Sequence, residues 1–374
     1  MQRLDKVQLQ ENLLRIATGF VDQAIVSGVV MQVNQCGSPV ARIAVGKQHP
    51  DLDTPMTEKT VFRLASLTKP VTAAVALIAE EQGLLHLDDA VAAYLPGFQQ
   101  MHIGTYRDGK IVPDRLPETP AKLSHLLAHC SGFMAEDALG NEQYAAVPKE
   151  AFHSIHTMTE YCMNNTCLSF APCSQSVYST LAFDLLARII EEQSGMTYAA
   201  YAQKYLFDPL GTTDITFCPT EEQWQRMACI GNSCEGYCYV PHDMGKHTFE
   251  GYPLSYTCAG ASLCGTAEAY NAFMEMLLHR GIYNGTRILT AESVRKMKKT
   301  VCGTWGLAVT VRDGTSALPK DSYGWSGAYG THFWVDEENQ ITALMLKNHR
   351  NVDVNFWTGS LQAFEEGVMN ALVR

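Results

Sequence analysis

Apolar residues recur at helical spacing from the start of the chain, at Leu4, Val7, Leu13, Leu14 and Ile16, and predict an amphipathic N-terminal helix. Two partly alternating runs follow, GVVMQVNQCG over 28–37 and PVARIAVG over 39–46, with turn residues between them, which is the pattern of a β-hairpin. The period becomes helical again from Ser66 to Gly83. The middle of the chain, to about residue 250, reads as helices and loops, with 124–129 and 181–194 (LAFDLLARIIEEQS, stopped by Gly195) as good examples. A further helix is expected over 267–280, ended by Gly281, then strands at 305–312, 330–336 and 341–347 and a closing helix from about 357 to 373. Helix and strands at both ends with helices between imply an α+β chain: an antiparallel sheet built from both termini, flanked by helices, with an all-helical lobe inserted. The expected boundaries are 1–75 with 255–374 for the sheet lobe and 76–254 for the helical lobe, with a cleft between them.

Composition narrows the classes of partner. With 46% hydrophobic and 18% charged residues among 374, the chain has ordinary globular usage. Its 28 basic and 39 acidic residues leave a formal charge of -11, and no basic run is long enough to track a phosphate backbone, which argues against nucleic acid. The longest clean apolar run, Ala73 to Ala79, is far short of the roughly 20 residues a membrane-spanning helix needs. The N-terminus lacks the unbroken apolar stretch of a secretion signal, so the expected compartment is the cytoplasm. Twelve cysteines are too sparse for a disulfide scaffold and are expected as reduced, mostly buried thiols.

Several well-known catalytic motifs are missing: no G-x-S-x-G, no G-x-x-x-x-G-K-[ST] and no H-E-x-x-H. The chain does contain Ser66-Leu67-Thr68-Lys69, an S-x-x-K tetrad, and a second copy at Ser293-Val294-Arg295-Lys296. Pro70 distinguishes the first, because proline is tolerated only in a first helical turn; the helix therefore begins near Ser66 and places its hydroxyl at the positive end of the dipole. Lys69 lies on the same face. That setting suits an acyl-transfer nucleophile, with an amine beside the hydroxyl and a backbone N–H facing a developing oxyanion. The plainer alternative makes Ser66 a helix N-cap and Lys69 a solvated charge.

From these residues outward the chain resembles the serine β-lactamase, penicillin-binding and related esterase superfamily, particularly the class C-like homologues and carboxylesterases. The resemblance runs in order through FRLASLTKPVTAAVALIAEEQGLLHLDDAVAAYLP around Ser66, LSHLLAHCSGF at 123–133, VYSTLAFDLLARIIEEQSGMTY at 177–198, DPLGTTDITF at 208–217, AGASLCGTAEAYNAFMEMLL at 259–278 and YGWSGAYGTHFWVD at 323–336. It implies a β-lactamase/transpeptidase-like fold, with Ser66 as the acylated nucleophile, Lys69 as its helper and Tyr178 as the proton shuttle. Either Lys69 or Tyr178 could take the first proton. The backbone N–H groups of Ser66 and Ala328 would form the oxyanion hole, and Thr180, Trp325, Ser326 and Gly327 would line the substrate.

Two positions depart from the family. Thr180 stands where the family has Asn, and lacks the amide's pair of donors. Trp325 stands where it has Lys or His, and removes the cation that would attract a substrate carboxylate. The tryptophan resembles the esterase and acyltransferase branch more than the β-lactamases, and the threonine weakens recognition of a substrate amide. The implied function is a serine hydrolase, a carboxylesterase or acyltransferase on small esters, needing no metal or organic cofactor; the rivals are a β-lactamase or D-amino-acid peptidase acting on amides, and a non-catalytic penicillin-binding-like sensor. The oligomeric state is left open.

Other features read as structural. His125 and His129 stand four apart on one expected helix face, without a third ligand beside them. The cysteine groups (Cys162, Cys167, Cys173; Cys229, Cys234, Cys238; Cys258, Cys264) lack paired C-x-x-C knuckles. Tyr237, Tyr239, Phe249, Tyr252 and Tyr256 crowd a loop-like segment, either as core packing or, the favoured reading, as the hydrophobic wall of an acyl pocket.

Overall fold

A computed structural model describes residues 1–234, 238–242, 252–253, 255–350 and 354–373. The elements that position the site are helices α1 (Lys6–Asp22), α2 (Thr68–Glu81), α3 (Leu123–Leu127), α4 (Ala182–Ser194), α5 (Ala267–Leu278) and α6 (Val354–Met369). The strands are β1 (Gly28–Gln35), β2 (Ser38–Gly46), β3 (Thr310–Val311), β4 (Tyr323–Ser326), β5 (His332–Asp336) and β6 (Ile341–Lys347). These form one antiparallel sheet in the order β3-β4-β5-β6-β1-β2, so that β6 from the end of the chain pairs with β1 from its beginning. The sheet is therefore built from both termini, as the hydrophobic pattern implies.

Strand periodicity sorts the core. On β1, Val29, Met31 and Val33 join a cluster with Leu13, Phe20 and Phe364, while Val30 packs with residues of α2 and α5. On β6, Ile341, Ala343 and Met345 share the first face, and Leu344 and Leu346 the second. Side chains alternate across a strand, so two consecutive apolar residues can be buried only where both faces are covered. Here α1 and α6 cover one face and α5 the other.

Some elements differ from the expected pattern. The run 305–312 yields only the two-residue β3, because Ala308 takes the left-handed conformation (φ 62°) and Gly306 lies so close to the chain that a Cβ there would stand 2.4 Å from Met297 O. The middle of the chain also carries two hairpins besides its helices, Ile103–Arg107 with Lys110–Arg115 and Ile230–Cys234 with Cys238–His242. Helix α3 ends at Leu127, and His129 adopts φ 56° beyond it, so His125 and His129 do not share a helix face. Among the described residues no helix is long and apolar enough to cross a membrane.

Lys347 at the end of β6 is fully buried, donates to Ser360 Oγ and lies 5.0 Å over the Phe20 ring. Its methylenes fill the space a Cβ on Gly330 would need, 2.6 Å from Cε. Burial pushes its amine down to about 7 from 10.5. Between these values the unfolded chain holds more protons than the folded one, so this group makes stability rise with pH across that window. In denaturant titrations the wild type should gain on Lys347→Met between pH 7 and pH 9; an equal gap at both would contradict it.

Candidate active site

The turn at Ser66 is pinned from both sides. Thr68 Oγ1 donates to Ala65 O at 2.6 Å and accepts from Leu263 N–H, while Leu64 O accepts from Thr331 Oγ1 at 2.9 Å. Ala65 is thereby held at φ 49°, in the left-handed region that L-residues other than glycine seldom occupy. Strain of this kind, on the order of 1–3 kcal/mol, persists only where the surroundings over-determine it. A short 3-10 turn, Ala65–Leu67, then leads into α2, whose cap residue Leu67 makes no side-chain cap bond. Ser66 is not an N-cap.

Lys69 is fully buried and points its amine at three oxygens: Ser66 Oγ at 3.1 Å, Gly260 O at 2.9 Å and Thr180 Oγ1 at 3.3 Å. It is not a solvated surface charge. A buried amine needs acceptors for its N–H groups, and those from Gly260 and Thr180 arrive from segments remote in sequence. Gly260 has no room for a side chain, since a Cβ would lie 2.5 Å from Thr180 O. Its approach is fixed by Asp184 on α4, fully buried, which accepts from Ala259 N–H at 2.7 Å and from Tyr256 OH at 2.5 Å. Burial raises the Asp184 carboxyl to about 7, against the lowering effect of those hydrogen bonds and of Lys69.

Tyr178 meets Lys69 through its ring. The amine stands 4.5 Å from the ring centroid, a cation–π contact, while the phenol oxygen accepts from Trp325 Nε1 at 3.3 Å. The Tyr178 ring lies 4.3 Å from that of His129, and Trp305 is 4.3 Å from both His129 and Trp325. His129 Nδ1 accepts from Ser179 N–H, which leaves the ring proton on Nε2. Burial first and Lys69 second hold this imidazole well below its ordinary pKa, hence neutral. Thr180 Oγ1 also donates to Glu136 Oε1 at 2.8 Å, beside a cavity of about 310 Å³ lined by Glu136, Asn141, Tyr144 and Thr180.

Strand β4 packs against the Ser66 turn. At its end Gly327 sits where a Cβ would lie 2.7 Å from Leu64 O and 3.3 Å from the Ala65 Cβ, so only glycine lets the two chains approach. Ala328 follows, exposed between buried Gly327 and Tyr329. The Ser326 hydroxyl lies 2.8 Å from His332 Nδ1, and His332 Nε2 is 3.1 Å from Glu365.

Ser66, Lys69, Thr180 and the Tyr178 ring thus come together, with Trp325 bonded to the Tyr178 phenol. His129, Glu136, Asp184, Gly260 and Trp305 were not singled out as site residues from the sequence, and no local motif marks them apart from their places in the resembling segments. The aromatic wall takes another form: Tyr256 is buried as a donor to Asp184, and Tyr252 stacks on Phe152 at 4.0 Å. Tyr237, Phe249 and the Tyr239 side chain lie outside the described residues.

An antiparallel sheet flanked by helices, with an S-x-x-K serine and buried lysine at one helix start, defines a serine hydrolase of the β-lactamase type. The Beta-lactamase family model matches residues 13–358, and the chain belongs to that family. It is 26% identical over 356 residues to Protein Rv1367c of Mycobacterium tuberculosis, covering 88% of this chain and 87% of that one. It is 28% identical over 335 residues to an Escherichia coli (strain K12) protein named "Putative D-alanyl-D-alanine carboxypeptidase", covering 83% and 74%. Among solved structures, EstCE1, a hydrolase with promiscuous acyltransferase activity, superposes with TM-score 0.81 at 21% identity over 97% of this chain and 99% of its own. Unliganded simvastatin synthase (LovD) from Aspergillus terreus gives 0.80 at 19% identity over 98% of each chain.

Proposed function

We propose that the protein is a carboxylesterase or acyltransferase that forms an acyl-enzyme on Ser66 and passes the acyl group to water or another small nucleophile. The observation that carries this reading is the 3.1 Å contact between Ser66 Oγ and the buried Lys69 amine, on a turn held in a strained conformation. In the proposed sequence the amine, when neutral, takes the Ser66 proton as Oγ attacks the ester carbonyl. The backbone N–H groups of Ser66 and Ala328 hold the oxyanion, and collapse releases the alcohol with a proton relayed through Lys69 and Tyr178. Water repeats the sequence in reverse roles. Trp325 and Gly327 border the acyl or alcohol group, Thr180 and Glu136 supply polar contacts, and Ser326 supports β4 through His332.

The absence of a cation at Trp325 favours esters over carboxylate-bearing β-lactams, and the description of EstCE1 as a hydrolase with promiscuous acyltransferase activity supports acyl transfer. The amide-hydrolase alternative draws support from the name of the Escherichia coli relative. Steady turnover of p-nitrophenyl butyrate, many product molecules per chain and abolished in Ser66→Ala, is the expected result. A single stoichiometric burst without turnover would leave the sensor reading instead.

A further inference from the structure

Two segments distant in sequence bring sulfur and nitrogen together beside the aromatic cage. A ring nitrogen of His125 and the sulfurs of Cys130 and Cys173 all lie within 4.8 Å of one another, and the two sulfurs are 4.0 Å apart. A backbone bond holds the arrangement: Cys173 N–H donates to Cys130 O at 2.8 Å. Cys130 and His125 are buried and Cys173 is exposed, so the cluster is framed by protein on one side and open to solvent on the other.

We propose that His125, Cys130 and Cys173 form a binding site for one thiophilic divalent cation, of which zinc is the representative, with its fourth position open to solvent. Tetrahedral zinc with Zn–S bonds of about 2.3 Å spaces its sulfurs roughly 3.8 Å apart, close to the separation here. A disulfide has a far shorter sulfur–sulfur distance and would leave the imidazole unused. Binding releases the two thiol protons to solvent. His125 Nδ1 now accepts from Lys122 N–H at 3.2 Å; whichever ring nitrogen ligates, the imidazole proton then sits on the other one and this bond is given up.

The site stands apart from the proposed chemistry but is tied to it. Cys130 follows His129 and Cys173 precedes Tyr178 by five residues. A cation here cross-links the segments that carry the aromatic cage around Lys69. Its role is structural, and no proton or acyl transfer passes through it.

The test titrates the reduced full-length protein with Co²⁺ and Zn²⁺ alone. One equivalent of Co²⁺ should bind with a sulfur-to-metal charge-transfer band, be displaced by one equivalent of Zn²⁺, and raise the melting temperature. Cys173→Ser, at the exposed position, should weaken Zn²⁺ at least tenfold, while Cys218→Ser and the double variant Cys234→Ser/Cys238→Ser should bind as the wild type does. Absence of stoichiometric binding, a spectrum without thiolate character, or loss of binding in the 234/238 variant but not in the 173 variant would overturn the proposal.

Discussion

Activated short-chain esters should exceed nitrocefin in kcat/KM by about 10²–10⁴ under matched conditions. A β-lactam carries a carboxylate beside its scissile amide, and a charge-assisted hydrogen bond to such a group is worth about 1.5–3 kcal/mol. Trp325 offers only an indole N–H, and that N–H already donates to the Tyr178 phenol at 3.3 Å. Thr180 removes a second contact: its hydroxyl donates to Glu136, a carboxylate that repels a substrate carboxylate and cannot itself donate to a substrate carbonyl. Two losses of this size multiply to the range given. Nitrocefin hydrolysis matching that of p-nitrophenyl butyrate would mean that another cation grips the substrate.

Lys69→Ala and Tyr178→Phe should each lower kcat by roughly 10²-fold or more, and the double variant should fall little further than the worse single one. The reasons differ. Lys69 has its amine within reach of Ser66 Oγ, so its removal takes away the proposed base and leaves the acceptors at Gly260 O and Thr180 unmatched. Tyr178→Phe keeps the ring over the amine and deletes only the hydroxyl, isolating the proton relay from the cation–π contact. Thermal melts close to the wild type for Tyr178→Phe would confirm that separation. Near-normal turnover of either single variant would place the base elsewhere.

The sheet was legible because its period is local. Partial alternation along 28–46 and the short apolar run at 341–347 mark strands, and the pairing of chain ends follows from needing both halves to complete the sheet. Ser66 and Lys69 were legible because Pro70 fixes where the helix can start. The rest of the site depends on contacts that no short window contains. Gly260 O reaches Lys69 across 191 residues, and Asp184, which holds that segment, reads in sequence as one of several polar residues of an amphipathic helix. Strand 305–312 looked continuous, yet close packing at Gly306 and the left-handed Ala308 break it. The cluster of His125, Cys130 and Cys173 is spread over two segments, so spacing rules written for knuckles pass over it.

The claim that Ser66 carries the acyl group is tested most directly by rapid acid quench of a p-nitrophenyl butyrate reaction followed by peptide mass mapping. The account predicts a butyryl ester on the peptide containing Ser66, formed within the first turnover and gone once substrate is exhausted. Butyrylation of a different residue, or undiminished turnover with Ser66 unmodified throughout, would contradict it.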